Sequence, residues 1–265
     1  MKGVGWLFAA ALWCGLAHGE PRVVSLAPSM TELMLELGAG ELLVGVLEGG
    51  EQPASLPDLP SVGNHHSLNI ERLVGLRPGL VLLWPDSIGA AQREQLRRFG
   101  IPLYEARPRT LDDLADQAEV LGRLIGREAT GAALANEVRG RLALLRERYR
   151  GGEPLRVFYQ VWDAPLYTLG GRQVINDALG ACGAVNLFAD LQLAAPQVSL
   201  EAVLARDPDV ILASDPSLVP GWSAWPQLKA VRQELVFAIP DRGLERPSLQ
   251  MLGATERLCQ LLHDE

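Results

Sequence analysis

One segment of this chain occurs twice, 130 residues apart, and that repetition restricts the architecture more than any other feature. The first copy runs from Asn69 through Ile70-Glu71-Arg72-Leu73 to Arg77-Pro78 and then Leu80-Val81-Leu82-Leu83. The second runs from Ser199 through Leu200-Glu201-Ala202-Val203 to Asp207-Pro208 and then Val210-Ile211-Leu212-Ala213. Asn69 and Ser199 are good helix N-caps. Glu71 and Glu201 follow in the first turn, where a negative charge suits the helix dipole. A short apolar helix comes next, and an X-Pro step ends it. The apolar run beyond the proline reads as a buried, parallel strand. Each half therefore contains the same helix-to-strand unit, and two such halves predict an α/β fold of two similar lobes.

The remaining pattern fills these lobes. Residues 20–108 are expected to form the N-terminal lobe, with strands at Arg22–Leu26, Leu42–Val46 and Pro102–Glu105. Its first helix is expected to open at Ser29 and end at Gly38. Residues 151–265 form the C-terminal lobe, with strands at Leu155–Gln160 and Val236–Ile239 and a last helix near Ser248–Leu262. Between them, residues 109–150 are rich in Ala, Leu, Glu and Arg with apolar residues at helical spacing. One long bridging helix is expected there, kinked or in two segments with a break at Gly126. It would make a stiff spine with a ligand cleft between the lobes, and little lobe closure.

The first 19 residues carry Lys2, a short apolar run from Val4 to Trp13, and small residues at Ala17 and Gly19. This is a secretory signal pattern with cleavage before Glu20. The run is too short for a comfortable membrane span, which needs about 20 apolar residues. Trp13 before Cys14 argues against lipoprotein processing. An exported chain meets oxidising conditions, so Cys182 and Cys259 are compatible with a disulfide as well as with two buried thiols. The formal net charge of −8 makes nucleic acid a poor partner. No G-x-S-x-G elbow, P-loop, G-x-G-x-x-G or H-E-x-x-H occurs, so nothing marks an enzyme.

Pro21-Arg22-Val23-Val24-Ser25-Leu26-Ala27-Pro28-Ser29 with Thr31-Glu32-Leu33, Leu68-Asn69-Ile70-Glu71-Arg72-Leu73, and Pro196-Gln197-Val198-Ser199-Leu200-Glu201 together resemble the periplasmic binding proteins for cobalamin, iron siderophores and haem. The resemblance covers essentially the whole mature chain and is nearest to the cobalamin-binding members. It implies an exported, monomeric, non-catalytic subunit that holds its ligand between two lobes. It also implies a partner, the permease dimer of an ABC importer with its ATPases. No permanently bound cofactor is expected; cobalamin is the expected cargo.

Several roles follow from that resemblance. Glu71 and Glu201 would meet arginines of the permease; without it they are ordinary first-turn glutamates. Cys182 and Cys259 resemble the cobalamin binders' disulfide. Trp84 stands where they carry a Trp, and Asp241 with Glu245-Arg246 resembles their acidic and Glu-Arg segment. Ser29 and Met30 open the first helix beside the cleft. Three positions depart: Gly49 replaces a cleft Tyr, while His65 and Ala195 each replace a Trp. His65, adjacent to His66, offers an imidazole to the metal of a corrin or a haem; a loop histidine in solvent is the plainer reading. Trp84 and Trp162 each follow an expected strand, where α/β clefts open. Trp222, Trp225, Tyr159 and Tyr167 suit either a flat ligand or a core. Arg242, Glu245 and Arg246 offer polar contacts. Haem, cobinamide, a ferric siderophore or a metal ion are the competing cargoes.

Overall fold

The structure is a computed structural model that describes residues 21–48, 56, 58–64, 67–85 and 87–263. The signal segment, Gly49 and the His65-His66 pair lie outside the described residues.

The N-terminal lobe is built on a six-stranded sheet in the order β4-β3-β2-β1-β5-β6. Its strands are β1 (Val23–Ser25), β2 (Leu43–Glu48), β3 (Ser61–Asn64), β4 (Ser67–Leu68), β5 (Leu80–Leu83) and β6 (Leu103–Glu105). All pairings are parallel except β3 with β4. Among the described residues three α-helices accompany them: α1 (Pro28–Glu36), α2 (Ile70–Gly75) and α3 (Ala90–Arg98). β5 is buried on both faces, as its unbroken apolar run requires: Leu80 and Leu82 enter one core cluster, Val81 and Leu83 the other.

α1 does not open at Ser29. Its N-cap is Ala27, without a side-chain cap, and Pro28 stands in the first turn. Proline has no N–H to lose at that position and its fixed φ suits a helix start.

The bridge over 109–150 consists of two helices, α4 (Leu111–Leu124) and α5 (Glu128–Arg148), rather than one. The chain turns at Gly126, whose φ of +73° favours glycine. Ion pairs Arg139–Asp116 and Arg146–Asp112 fix the two helices as antiparallel neighbours. Near the turn the backbones touch. A Cβ on Gly131 would lie 2.5 Å from the carbonyl oxygen of Ala118. In an open helix Gly→Ala stabilises by about 1 kcal/mol. Here Gly131→Ala is expected to destabilise by about 1–3 kcal/mol, because backbone must move. A thermal melt of the variant reads the sign directly.

The hairpin is shared between the lobes. Leu111, Leu114 and Ala115 of α4 belong to the C-lobe core, while Ala118 and Leu121 of the same helix belong to the N-lobe core. From α5, Ala135, Val138 and Leu142 join the C-lobe core, and Leu134 packs against the N-lobe core.

The C-terminal lobe has strands β7 (Leu155–Asp163), β8 (Leu166–Thr168), β9 (Ala184–Asn186), β10 (Val210–Ala213) and β11 (Val236–Ala238). Their order is β11-β10-β7-β8, with β9 also paired to β7. Its helices are α6 (Ile175–Ala181), α7 (Leu200–Arg206), α8 (Lys229–Arg232) and α9 (Gln250–His263). The repeated unit is realised twice: α2 then β5, and α7 then β10. Asn69 Oδ1 accepts from the Arg72 amide at 2.8 Å, and Ser199 Oγ from the Ala202 amide at 3.2 Å. The likeness extends to the backbone, since Arg77 and Asp207, each before its proline, have φ of +49° and +42°. Cys182 and Cys259 form a disulfide, with both residues fully buried.

Candidate functional site

In open α/β sheets, ligands sit beyond the carboxyl ends of the parallel strands. From the N-lobe those ends present the first turn of α1 after β1 and Trp84 after β5. Trp84 is half-buried against the N-lobe core, and a turn holds it: the Trp84 amide donates to Ser87 Oγ at 3.1 Å. Ser29 is nearly buried. Met30 is fully buried in the N-lobe core, so its side chain packs instead of lining a cleft.

From the C-lobe, β7 carries Trp162 one residue before its end, 58% exposed. This strand runs three residues further than its apolar run implies. Ser214 and Asp215 follow the end of β10. Asp215 accepts from the amide and hydroxyl of Ser217, which hold its carboxyl below the usual range, and faces Arg242 at 3.3 Å. Arg242 and Glu245 lie in one short 3-10 turn, with Arg246 at its end. Glu245 accepts from the hydroxyl of Tyr159 at 2.9 Å, and partial burial pushes its carboxyl up. Burial also raises the Tyr159 phenol well above its ordinary value, so that hydroxyl stays a donor.

Asp241 is directed elsewhere. It accepts from the Gly243 amide at 2.6 Å and pairs with Arg257 of α9. It lines a cavity of about 380 Å³ together with Glu36 of α1, Arg141 of α5 and Arg257. Its carboxylate therefore caps a turn and anchors α9. Trp222 is core as well: it is 5% exposed and its indole N–H donates to Gln160 at 2.7 Å. Trp225 packs against the same cluster, Tyr159 is buried, and Tyr167 is half-buried opposite Trp162.

Arg246 joins the lobes. Its guanidinium stands 3.5 Å from Glu32 of α1, a carboxylate only 4% exposed. Glu36 follows one helical turn later. Burial, then the charge of Glu32, pushes the Glu36 carboxyl up to about 7 from 4.5. Ionising it in the folded protein is disfavoured. Stability should therefore fall as pH rises from about 4.5 through 7 and level off above. Glu36→Gln removes this dependence. The variant is expected to match the parent at pH 4 and exceed it by about 1–2 kcal/mol at pH 8, after discounting for solvent screening. Urea melts at the two pH values check this.

Glu71 and Glu201 are both exposed in the first turns of α2 and α7. The amide of its own residue and the Ser199 hydroxyl lower the Glu201 carboxyl. Among the described residues no group of three or more His, Cys, Asp or Glu side chains is placed to hold a metal ion. Among them also, no helix is long and apolar enough to cross a membrane. Sequence reasoning missed Asp215 and Glu32. Asp215 had a local signal, an acidic residue two positions past a buried strand; Glu32 had none, because its partner is distant in sequence.

Comparison with known proteins adds four findings. The family model described as "Periplasmic binding protein" matches residues 23–242. The vitamin B12-binding protein of Vibrio cholerae is 36% identical over 244 residues, covering 91% of this chain and 88% of that protein. Among solved structures, the periplasmic vitamin B12 binding protein of Vibrio cholerae aligns with a TM-score of 0.83 at 36% identity, covering 92% of this chain and 96% of that one. The periplasmic haem binding protein of Vibrio cholerae aligns with a TM-score of 0.78 at 26% identity, covering 92% and 99%.

Proposed function

The chain belongs to the periplasmic binding protein family, and from that premise we propose that it captures cobalamin in the periplasm and delivers it to an ABC importer. The observation that carries the cobalamin reading is the 36% identity to a vitamin B12-binding protein over 91% of the chain. The haem-binding relative shares the fold at lower identity, 26%.

The geometry supports a cleft of mixed character. Trp84 and Trp162 supply apolar surface at the strand ends. Arg242, with Glu245 beside it, supplies polar contacts to amide or phosphate groups. Ser29 borders the N-lobe side, and the family resemblance adds Gly49 and His65 as candidate contacts. His65 is the candidate axial ligand to the metal of the cargo. Glu71 and Glu201, one on each lobe and each on a capped first turn, suit a two-fold permease partner. Two matched carboxylates can form charge-assisted, bidentate pairs with arginines.

The test is calorimetric titration of the mature protein with cyanocobalamin, with cobinamide and hemin in parallel. One-to-one binding of cyanocobalamin tighter than the other two is the expected result. Uptake of hemin alone would replace the cargo and keep the capture role; no heat with any of the three would remove the tetrapyrrole reading.

A further inference from the structure

Beside the shared hairpin the two lobes meet along a seam. Its N-lobe side is α1, and its C-lobe side is the segment from Arg246 to Leu249 that leads into α9. Leu249 packs against both lobe cores. Arg246 reaches Glu32, which is almost wholly buried. Among the described residues four buried side-chain atoms lack a hydrogen-bond partner, and three of them belong to this seam: Glu32 Oε2, Glu36 Oε2 and Ser248 Oγ. A buried polar atom without a partner carries a desolvation cost that contact with water removes. Apolar packing thus closes the seam while its polar atoms favour opening it, and an added charge acts on that balance.

Glu36 supplies the charge. The charged groups that face it come from every side of the adjoining cavity. Glu32 lies one turn earlier on α1, α5 contributes Glu137 and Arg141, the turn after β11 contributes Asp241, and α9 contributes Arg257. Arg141 already pairs with Glu256 at 2.8 Å and Glu137 at 3.4 Å, and Arg257 with Asp241. Ionising Glu36 therefore sets a second negative charge beside Glu32 in a partly buried place, and its carboxyl titrates at about 7 instead of 4.5. Water entering the seam relieves that cost.

We propose that this seam is a proton-controlled latch between the lobes: with Glu36 neutral, Glu32 and Arg246 pin α1 to the C-lobe, and ionisation of Glu36 favours opening. The same elements border the cleft, since α1 carries Ser29 and the turn before Arg246 carries Arg242 and Glu245. Opening the latch therefore loosens the grip on whatever the cleft holds. The latch goes beyond the capture role and does not depend on the cargo. Its sign follows from the raised carboxyl: the pinned form binds the proton more tightly than the open form, so pinning weakens as pH rises from about 4.5 through 7 and changes little above. Ligand binding, which favours the pinned form, then takes up protons over that range.

The test is hydrogen exchange of the ligand-free protein, read by mass spectrometry at pH 5 and pH 8 and corrected for intrinsic rates. In wild type, peptides covering α1 and residues 246–252 are expected to exchange at least about 10-fold faster at pH 8. Glu36→Gln is expected to change by less than about 2-fold, and Glu32→Gln to exchange fast at both pH values. Equal corrected rates in wild type overturn the latch. So does a rise shared equally by the β5 peptide, because Glu36 would then act on the whole fold. Calorimetry with cyanocobalamin at the same pH values is expected to show affinity at least about 3-fold weaker at pH 8 in wild type and unchanged in Glu36→Gln. A seam that opens without any change in affinity overturns its coupling to the cleft. A wild type that binds no cyanocobalamin overturns the cargo reading alone, since the exchange measurement contains no ligand and still decides the latch.

Discussion

Replacing Glu71 and Glu201 together by arginine is expected to leave ligand affinity unchanged and to weaken association with the importer at least about 100-fold. Both carboxylates are exposed, so neither contributes to the lobe cores. Both sit one residue into a helix whose first turn is already fixed by its cap, Asn69 or Ser199. Removing the charge therefore leaves the helices standing. If the two carboxylates meet arginines of the permease as proposed, reversal places like charges together and affects both rate and stability of the complex. Single reversals should each produce a partial loss, and raised salt should mimic them in the parent protein. The measurement is binding of ligand-loaded protein to its importer in nanodiscs, beside ligand titration of the free protein. Unchanged association would end the docking assignment. A parallel fall in ligand affinity would instead mean that the two turns shape the cleft.

The second large effect concerns stability. Cys182→Ala with Cys259→Ala should cost about 3–4 kcal/mol, because the bond closes a loop of 77 residues and removes that freedom from the unfolded chain. The bond also ties the end of α6 to α9, both of which bury residues in the C-lobe core. For a chain of this size the loss corresponds to a melting temperature lowered by roughly 6–15 °C. A differential scan of the double variant reads it. A shift below about 2 °C would mean that the helices hold their places without the bond.

Much of the fold was legible because the informative signals were local. The apolar runs Leu80–Leu83 and Val210–Ala213 became strands with those bounds, and the two caps formed as their residue types predict. The Gly126 break was visible too, although its outcome was not. Whether a helix kinks or folds back depends on what the second segment packs against, and Gly122 and Gly131 allow close contact only once it has folded back. The site was less legible. Periodicity places a residue on an element but does not aim its side chain. Met30 turned into the core, and Asp241 turned to Arg257. The Glu32–Arg246 contact joins residues more than two hundred positions apart, a distance over which the sequence pattern carries no information.

The shared helix has a consequence for how this chain comes into being. An exported protein is threaded through its channel amino end first, and the half that emerges first is all one lobe. That lobe's inner surface is closed by Ala118 and Leu121, on a helix whose preceding turns are held only by the half still to come. The early half is left with an unfinished apolar face until the late half arrives. The repeat looks like two building blocks, yet each completes its core with side chains of the shared hairpin. A product truncated before α4 would leave the N-lobe's apolar face uncovered.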